Sequence, residues 1–252
     1  MMKQQFKGYI LAATLLLLPT VLHGAESFEV RALLVPQREA VLSSQIHGRI
    51  IELPVEVGDR FAQGQLLVAL DCEVLAAELQ KAKMDLEAAT ETHAAMLRLL
   101  EFGSVSELEV AVASAKKKRA QAEVLLGETK VSMCRIHAPF AGRVVKRPVN
   151  PYENVTPENP VLEIIADSKL KLHLLVPSHW LQWLAAGQQF KVRLDETGKS
   201  YQAVVTGLGA RVNPVNQTLE LEAAFSEKHD ELLAGMSGTA VLFKPAKKDK
   251  GN

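Results

Sequence analysis

The sequence lacks an excess of charge of either sign, since 29 lysine and arginine residues are balanced by 29 aspartate and glutamate residues. A protein that recognises nucleic acid through its phosphates carries a strongly basic domain, so this balance argues against a nucleic-acid partner. The basic run Lys116–Arg119 is the one local exception, and it lies in a helical pattern that predicts a solvated helix face. Long apolar runs are lacking too, because Ile10–Leu22 falls short of the ~20 residues that a membrane-spanning helix needs.

Recognisable catalytic motifs are also absent. Ser178 and Ser237 lack the flanking glycines of a nucleophile elbow, and the paired acids Asp195 and Glu196 stand at a predicted turn before Gly198. None of the metal-protease or zinc-finger spacings of histidine and cysteine occurs. The sequence therefore predicts a protein that is not an enzyme and that carries no metal or other cofactor.

Residues 1–25 have the pattern of a secretory signal peptide. Lys3 and Lys7 precede the apolar run, and the small residues Gly24 and Ala25 follow it. No cysteine lies near this segment, which excludes lipid attachment there. The pattern predicts export to an oxidising compartment outside the cytoplasm.

A short motif typical of β structure occurs twice, in residues 43–71 and 135–167. A constant offset of 94 residues aligns Gly48 with Gly142, Arg49 with Arg143, Pro54 with Pro148 and Val55 with Val149. Apolar positions such as Ile50 and Val144 follow the same offset. An internal repeat of this kind predicts two halves of one duplicated β unit.

Residues 72–134, between the two copies, have the heptad pattern of a coiled coil. One predicted seam consists of Leu75, Leu79, Ala82, Leu86, Ala89, His93, Met96 and Leu100. The other consists of Val105, Leu108, Val112, Ala115, Arg119, Ala122, Leu126, Thr129 and Met133. Gly103 and Ser104 separate the seams, and two helices joined by so short a turn pack antiparallel.

Two polar residues interrupt these seams. A lone histidine in an apolar stripe is usually a packing residue, which is the role we predict for His93. Folding the hairpin about Gly103 brings Arg119 near Glu87, so we predict an ion pair at the edge of the seam.

The two cysteines of the chain, Cys72 and Cys134, are each 31 residues from Gly103, so the same folding brings them together at the base of the hairpin. An even pair of cysteines in an oxidising compartment predicts a disulfide, which would stabilise the protein by ~4 kcal/mol through loop closure. The alternative is a soft-metal site in which Met133 or His137 joins Cys134.

Several motifs give the chain a resemblance to the periplasmic adaptor subunits, or membrane fusion proteins, of tripartite efflux and secretion pumps of the HlyD and RND type. The run Ala138–Gly142 looks like the family's signature, and Arg211–Leu219 and Leu232–Gly238 are similar to its barrel motifs. The resemblance implies an α+β, mainly β fold. In it, a lipoyl-like β-sandwich (43–71 and 135–167) is split by an antiparallel α-helical coiled-coil hairpin (72–134) and followed by a β-barrel domain (168–245).

The two ends of the chain are compared with the same family. We expect residues 26–42 to be an N-terminal strand segment that joins the barrel or forms a residual membrane-proximal region. Residues 246–252 are expected to be a polar tail. Drug-pump adaptors usually continue into a membrane-proximal domain, which we expect to be absent here or reduced to residues 28–35.

The resemblance implies a protein of the periplasm, peripherally associated with the inner membrane. Its expected partners are an inner-membrane transporter of the RND or ABC type, an outer-membrane channel of the TolC type and further copies of itself in a ring, expected to be a hexamer. The family often docks on the channel through an arginine, a leucine and a serine at the hairpin tip. Leu99 and Ser106 match the last two, whereas Ala95 replaces the arginine and Arg98 lies one turn away.

Two questions stay open at this stage. Trp180 and Trp183 lie in a short helical pattern that either plugs one end of the barrel or presents a contact to the transporter. A lipoyl-like fold also suggests a carrier of biotin or lipoate. The carrier lysine would stand at the turn between the halves, where the hairpin is inserted, and no lysine in such a setting is present.

Overall fold

A computed structural model describes residues 26–167 and 169–245, so the predicted signal peptide and polar tail lie outside the described residues. The strands and helices are β1 (Ser27–Pro36), β2 (Glu39–Ser43), β3 (Gly48–Glu52), β4 (Arg60–Phe61), β5 (Leu66–Leu70), α1 (Glu73–Glu101), α2 (Glu107–Ser132), β6 (Arg135–His137), β7 (Gly142–Lys146), β8 (Asn154–Val155), β9 (Pro160–Ile165), β10 (Leu170–Pro177), β11 (Gln189–Leu194), β12 (Ser200–Val212), β13 (Thr218–Phe225) and β14 (Ser237–Phe243). The fold is mainly β, with a sandwich, a helical hairpin and a barrel.

The sandwich is built from the two sequence repeats. Its sheets have the strand orders β2-β9-β7-β4 and β6-β5-β3-β8. Strands β3, β4 and β5 of the first copy begin 94 residues before β7, β8 and β9 of the second, which confirms the duplication. Strand β4 pairs with β7, and β8 pairs with β3, so each copy supplies strands to both sheets. Neither copy can therefore form its half of the sandwich alone.

Equivalent residues of the two repeats have the same burial and the same turn hydrogen bonds. The buried pairs are Ile50 with Val144, Val55 with Val149, Phe61 with Val155, Leu67 with Val161, and Leu70 with Ile164. The turns match as well. The backbone N–H of Glu56 donates to Asp59 Oδ2 at 2.8 Å, and that of Asn150, its repeat mate, donates to Glu153 Oε2 at 2.9 Å. Apolar burial and turn chemistry together fix the register of both copies.

The barrel is closed by six strands in the order β1-β10-β13-β12-β11-β14. Alternate residues point into its core, as Leu172, Leu174 and Val176 do on β10. Strand β1 pairs with both β10 and β14, so the segment that precedes the sandwich in sequence completes the barrel. Closure leaves no free strand edge.

Residues 26–42 do not form one segment. Strand β1 belongs to the barrel, whereas β2 pairs with β9 in the sandwich, with Glu39 opposite Ile165. The sandwich therefore begins at Glu39, earlier than the predicted residue 43. The sequence hid this boundary because no glycine or proline cluster separates β1 from β2, and Pro36 is the only breaker between them.

The helical hairpin projects from the sandwich between β5 and β6. Its helices run in opposite directions, because Lys83 lies 3.6 Å from Glu128 and Glu78 lies 3.9 Å from Lys130. The 29 residues of α1 span about 43 Å at the usual helical rise. All eight predicted seam positions of α1 are half-buried, His93 among them, which confirms that seam. No helix in the described part of the chain is long and apolar enough to cross a membrane.

The predicted seam of α2 is wrong. Every position from Leu108 to Thr129 on that stripe is exposed, and the residues turned toward α1 are Val110, Ala113, Lys117, Ala120, Val124, Gly127 and Val131. Close packing contributes to this arrangement, since Gly127 lies directly against Leu79 and an added Cβ would stand 3.0 Å from its Cδ1. Cys134 continues the same stripe, so its bond to Cys72 turns this face inward.

The predicted ion pair between Arg119 and Glu87 is wrong for the same reason. Arg119 lies on the outer face of α2, away from α1. The ion pairs that the described hairpin residues form join Lys83 to Glu128 and Lys130 to Glu78.

Candidate functional site: the helical hairpin and its ends

The base of the hairpin is fastened to the sandwich at several points. A disulfide joins Cys72, the residue before α1, to Cys134, the residue that returns to the sandwich. The backbone N–H of Leu70 donates to the Cys134 carbonyl at 2.8 Å. Asp71 accepts from Arg49 at 3.1 Å and from the backbone N–H of Glu73 in the first turn of α1 at 3.3 Å. The direction of the hairpin is therefore set by the strands that carry it.

With Cys134 in the disulfide, a soft-metal site would lack its thiolate ligand. Within residues 26–167 and 169–245, no group of three or more histidine, cysteine, aspartate or glutamate side chains is placed to hold a metal ion.

The tip of the hairpin is a short turn between the end of α1 and the start of α2, and hydrogen bonds cap both helix ends. At the end of α1, Gly103 has φ of 67°, its N–H donates to the Leu100 carbonyl at 2.9 Å, and the N–H of Ser104 donates to the Leu99 carbonyl at 2.9 Å. These two bonds form a Schellman motif, which requires the left-handed conformation that glycine adopts freely. The predicted break at Gly103 is confirmed.

Large apolar side chains are exposed around this turn. Leu99 is 39% exposed, Phe102 80% and Leu108 73%. Arg98 is exposed beside them, whereas Ala95 is half-buried. The sequence prediction included Leu99 and Arg98 but missed Phe102, which lies in the turn outside any heptad, and it placed Leu108 in the intrachain seam. A large aromatic residue next to a turn glycine was the signal that could have identified Phe102.

Ser106, the third residue predicted for docking, is the N-cap of α2. Its hydroxyl accepts from the Glu109 N–H at 3.3 Å, and the Glu109 carboxylate accepts from the Ser106 N–H at 2.7 Å, so the two residues form a capping box. These bonds from the backbone and side chain of Ser106 lower the pKa of Glu109. Changes at Ser106 should therefore affect stability as well as docking, because the side chain holds the start of α2.

We expect Ser106→Ala to lower the free energy of unfolding by about 1 kcal/mol, as the loss of an N-cap does. Because the pKa of Glu109 is lowered in the folded protein, the carboxylate's contribution is present above its ordinary pKa and is lost as pH falls through the lowered one. Urea unfolding at neutral and acid pH measures both effects. Ser104→Ala, in the same turn, is the control, and equal stability of the two variants would contradict the cap.

Trp180 lies in a short 3₁₀ helix, Ser178–Gln182, and Trp183 directly follows it. Trp180 is only 4% exposed and its ring centroid lies 5.1 Å from that of Phe28 on β1. Trp183 is half-buried, with its ring centroid 5.5 Å from that of Phe28. Burial of Trp180 supports the plug and removes that residue as a surface contact, which leaves Trp183 and the exposed Leu181 on the outside.

A cleft of about 790 Å³ lies where the sandwich meets the barrel. Asp167, at the end of the sandwich, accepts from Arg60 at 2.9 Å, and Arg143 Nε lies 3.7 Å from the same carboxylate oxygen. Phe225 and Leu233 of the barrel line the other side. One carboxylate thus holds two strands of the sandwich, β4 and β7, beside the chain segment that leads into the barrel.

Comparison with known proteins shows which families share this arrangement. Residues 38–167 match the family model described as CzcB-like, barrel-sandwich hybrid domain. Nodulation protein NolF of Rhizobium meliloti (strain 1021) is 27% identical over 218 residues, which are 81% of this chain and 59% of that protein. The chain spans between 53% and 59% of the length of the curated relatives that it matches.

Solved structures share the fold at low sequence identity. A MacA-MexA chimeric protein containing the Pseudomonas aeruginosa MexA α-hairpin domain has a TM-score of 0.78 at 18% identity, covering 88% of this chain and 83% of the chimera. The membrane fusion protein Spr0693 from Streptococcus pneumoniae R6 has a TM-score of 0.73 at 16% identity, covering 87% of this chain and 99% of Spr0693.

Proposed function

Since the chain belongs to the CzcB-like barrel-sandwich hybrid family of membrane fusion proteins, the periplasmic adaptors of efflux pumps, we propose that it bridges two membranes in a tripartite efflux or secretion pump. Its inner-membrane partner is a transporter of the RND or ABC type, and its outer-membrane partner is a channel of the TolC type. The chain takes part as a non-enzymatic spacer that joins the two.

One observation supports this proposal: the hairpin has a base fixed by a disulfide and a tip that exposes apolar side chains. The disulfide and the Asp71 contacts hold the base in one direction, and α1 extends about 43 Å from it. Large apolar side chains are usually buried. The exposed Leu99, Phe102 and Leu108 at the far end therefore have the character of the apolar core of a protein–protein interface. A helical spacer with such an end suits docking on a channel.

The opposite end of the molecule suits the transporter. The barrel and the sandwich lie together there, with Asp167 between them. Leu181 and Trp183 stand on the barrel surface, and they are the residues that we assign to the transporter contact. The chain would act as a ring of copies, a hexamer, at the periplasmic face of the inner membrane.

Leu99→Asp and Phe102→Asp test the tip. A charge in a desolvated contact is strongly unfavourable, so we expect each variant to lower capture of the outer-membrane channel about tenfold or more. Capture of the inner-membrane transporter should be unchanged. The measurement is affinity purification of the native complex after crosslinking in cells, followed by quantitative mass spectrometry of both partners.

Leu125→Asp is the matched control, because Leu125 is 65% exposed on α2 but lies far from the tip. It should keep both partners. The bridging role is wrong if the unaltered protein captures no transporter and no channel. If both tip variants capture as much channel as Leu125→Asp does, the assignment of docking to the tip is wrong but the bridging role is not.

A further inference from the structure

The cleft between the sandwich and the barrel has the volume and the position of a small-molecule site. Pockets that bind drug-sized molecules commonly measure between about 300 and 1,000 Å³ and lie where two domains meet, and this cleft measures about 790 Å³. The sandwich end contributes charged side chains to its lining, namely Arg60, Arg143 and Asp167. The large apolar side chains come from the barrel and are Leu170, Phe225, Leu232 and Leu233.

On the sandwich side, two guanidinium groups share one carboxylate. Asp167 Oδ2 lies 2.9 Å from Arg60 Nε but 3.7 Å from Arg143 Nε, and the second distance is too long for a hydrogen bond. Within residues 26–167 and 169–245, Arg143 Nε is the one buried side-chain nitrogen or oxygen that has no hydrogen-bond partner. One negative charge thus neutralises two positive ones, and Arg143 has the weaker share of it.

The other charges of the lining do not supply a second anion for Arg143. Two lysines of the barrel already have carboxylate partners, each at 2.8 Å, in the pairs Lys171–Glu222 and Lys228–Asp230. Lys169 and Glu227 form no ion pair among the described residues, and both side chains are exposed. Five lysine and arginine side chains and four carboxylates line the cleft in all, so its walls can accept one further negative charge.

The positive sandwich wall acts across the cleft on the barrel loop that follows β13. The hydrogen bond and charge of Lys228 hold the pKa of Asp230 below its usual value, and the charge of Arg60 lowers that pKa further. Leu232 and Leu233 follow Asp230 directly in this loop. A molecule lying between the two walls would therefore meet positive charge on one side and apolar side chains on the other.

The apolar wall is formed before any molecule binds. The ring of Phe225 packs edge-on against two aromatic neighbours, with its centroid 5.9 Å from that of Tyr201 and 5.9 Å from that of His229. Beside it, Leu232 is buried and Leu233 is 48% exposed. A wall that is already ordered loses little conformational freedom on binding, and covering the exposed leucine removes apolar surface from water.

We propose that this cleft binds a small amphipathic carboxylate, with its head group beside Arg143 and Lys169 and its apolar body against Phe225 and Leu233. A planar carboxylate matches the fork of donors on a guanidinium group, and it carries the single negative charge that the lining can accept. The apolar body matches the barrel wall. This inference goes beyond the bridging role and does not rest on it, because binding needs neither membrane partner.

Four probes with the same ten-carbon chain test the head group by isothermal titration calorimetry on the purified protein, residues 26–252, below micelle-forming concentrations. Decanoate should bind about tenfold or more tightly than decanol, which is neutral, and decyltrimethylammonium, which is positive. Decyl phosphate should bind more weakly than decanoate, because it brings more negative charge than the lining can accept. The proposal is overturned if decanol binds as tightly as decanoate, and the assignment to a carboxylate is overturned if decyl phosphate binds more tightly.

Two charge variants should change the affinity in opposite directions. Arg143→Met removes the guanidinium group, so the dissociation constant for decanoate should rise about tenfold or more. Asp167→Asn removes the carboxylate that competes for Arg143, so the dissociation constant should fall about threefold or more. Damage to the shape of the cleft would weaken binding in both variants. Unchanged or weaker binding of decanoate by a folded Asp167→Asn variant would contradict the assignment of the head group.

A matched pair of apolar variants tests the barrel wall without altering the arginines. Leu233→Asp places a negative charge against the apolar body, so decanoate should bind about tenfold more weakly or worse. Leu181→Asp is the control, because Leu181 is 47% exposed on the barrel but lies outside the lining of the cleft. Circular dichroism should show the same folded state in both. If the two variants bind decanoate equally well, this cleft is not the site.

Discussion

Replacing both Cys72 and Cys134 with alanine is expected to lower the free energy of unfolding by about 4 kcal/mol. The disulfide closes a loop over a sequence separation of 62 residues, and most of the loss comes from the larger number of conformations open to the unfolded chain. Urea unfolding followed by circular dichroism measures the change. A cost of this size is a large part of the stability of an ordinary domain.

The native contacts around the disulfide should survive its removal. Cys134 is 2% exposed in the sandwich core, so alanine leaves only a small cavity there. The hydrogen bond from Leu70 N–H to the Cys134 carbonyl involves the backbone and needs no sulfur. Reduced, unaltered protein is the control that separates loss of the crosslink from loss of the side chains. An unfolding midpoint equal to that of the oxidised protein, in either sample, would show that the loop is already constrained without the bond.

The seam of α1 was predicted correctly and that of α2 was not, because the two helices differ in where their large apolar residues lie. In α1, one heptad holds the large apolar residues such as Leu79 and Leu86, so the pattern identifies the seam. In α2, all three leucines, Leu108, Leu125 and Leu126, are exposed, and the apolar residues that face α1 are the smaller valines, alanines and Gly127. A prediction that follows the largest apolar side chains misses a helix contact that is formed by smaller residues packing closely. The position of Cys134 on the same stripe was the signal in the sequence that could have corrected it.

The sandwich core was easier to predict than the boundary between barrel and sandwich or the tip of the hairpin. The repeat specified the buried positions of both halves, because the same offset relates residues such as Ile50 and Val144. The place of β1 in the barrel and β2 in the sandwich depends on pairing with strands more than 120 residues away, as Glu39 with Ile165 shows. The sequence around a strand does not indicate which distant strand it pairs with. The tip was predicted in part, since Leu99 follows a family pattern whereas Phe102 and the capping role of Ser106 depend on the turn.

Gly142→Ala is expected to be the most damaging small substitution in the sandwich, at a cost of roughly 3 kcal/mol. Gly142 begins β7 and lies against the backbone of β9, where an added Cβ would collide with the carbonyl of Ile165 and stand 3.2 Å from Ala166 Cα. Backbone cannot rotate aside as a flexible side chain can, so the two strands must separate. The pairing of Arg143 with Ile165 would then open, and Asp167 would move away from Arg143.

Gly48→Ala is the matched control, because Gly48 occupies the same position in the first repeat. There an added Cβ meets the Leu70 side chain at 3.3 Å and the Asp71 carbonyl at 3.6 Å, so a small shift relieves the contact, and we expect a cost of about 1 kcal/mol or less. Neither glycine has a positive φ, which means that the difference between the variants measures space and not backbone conformation. Urea unfolding of both variants decides the matter. If they are equally stable, strand spacing at β7 and β9 yields more easily than close packing allows, and the tight contact at Gly142 is not what holds the second repeat in register.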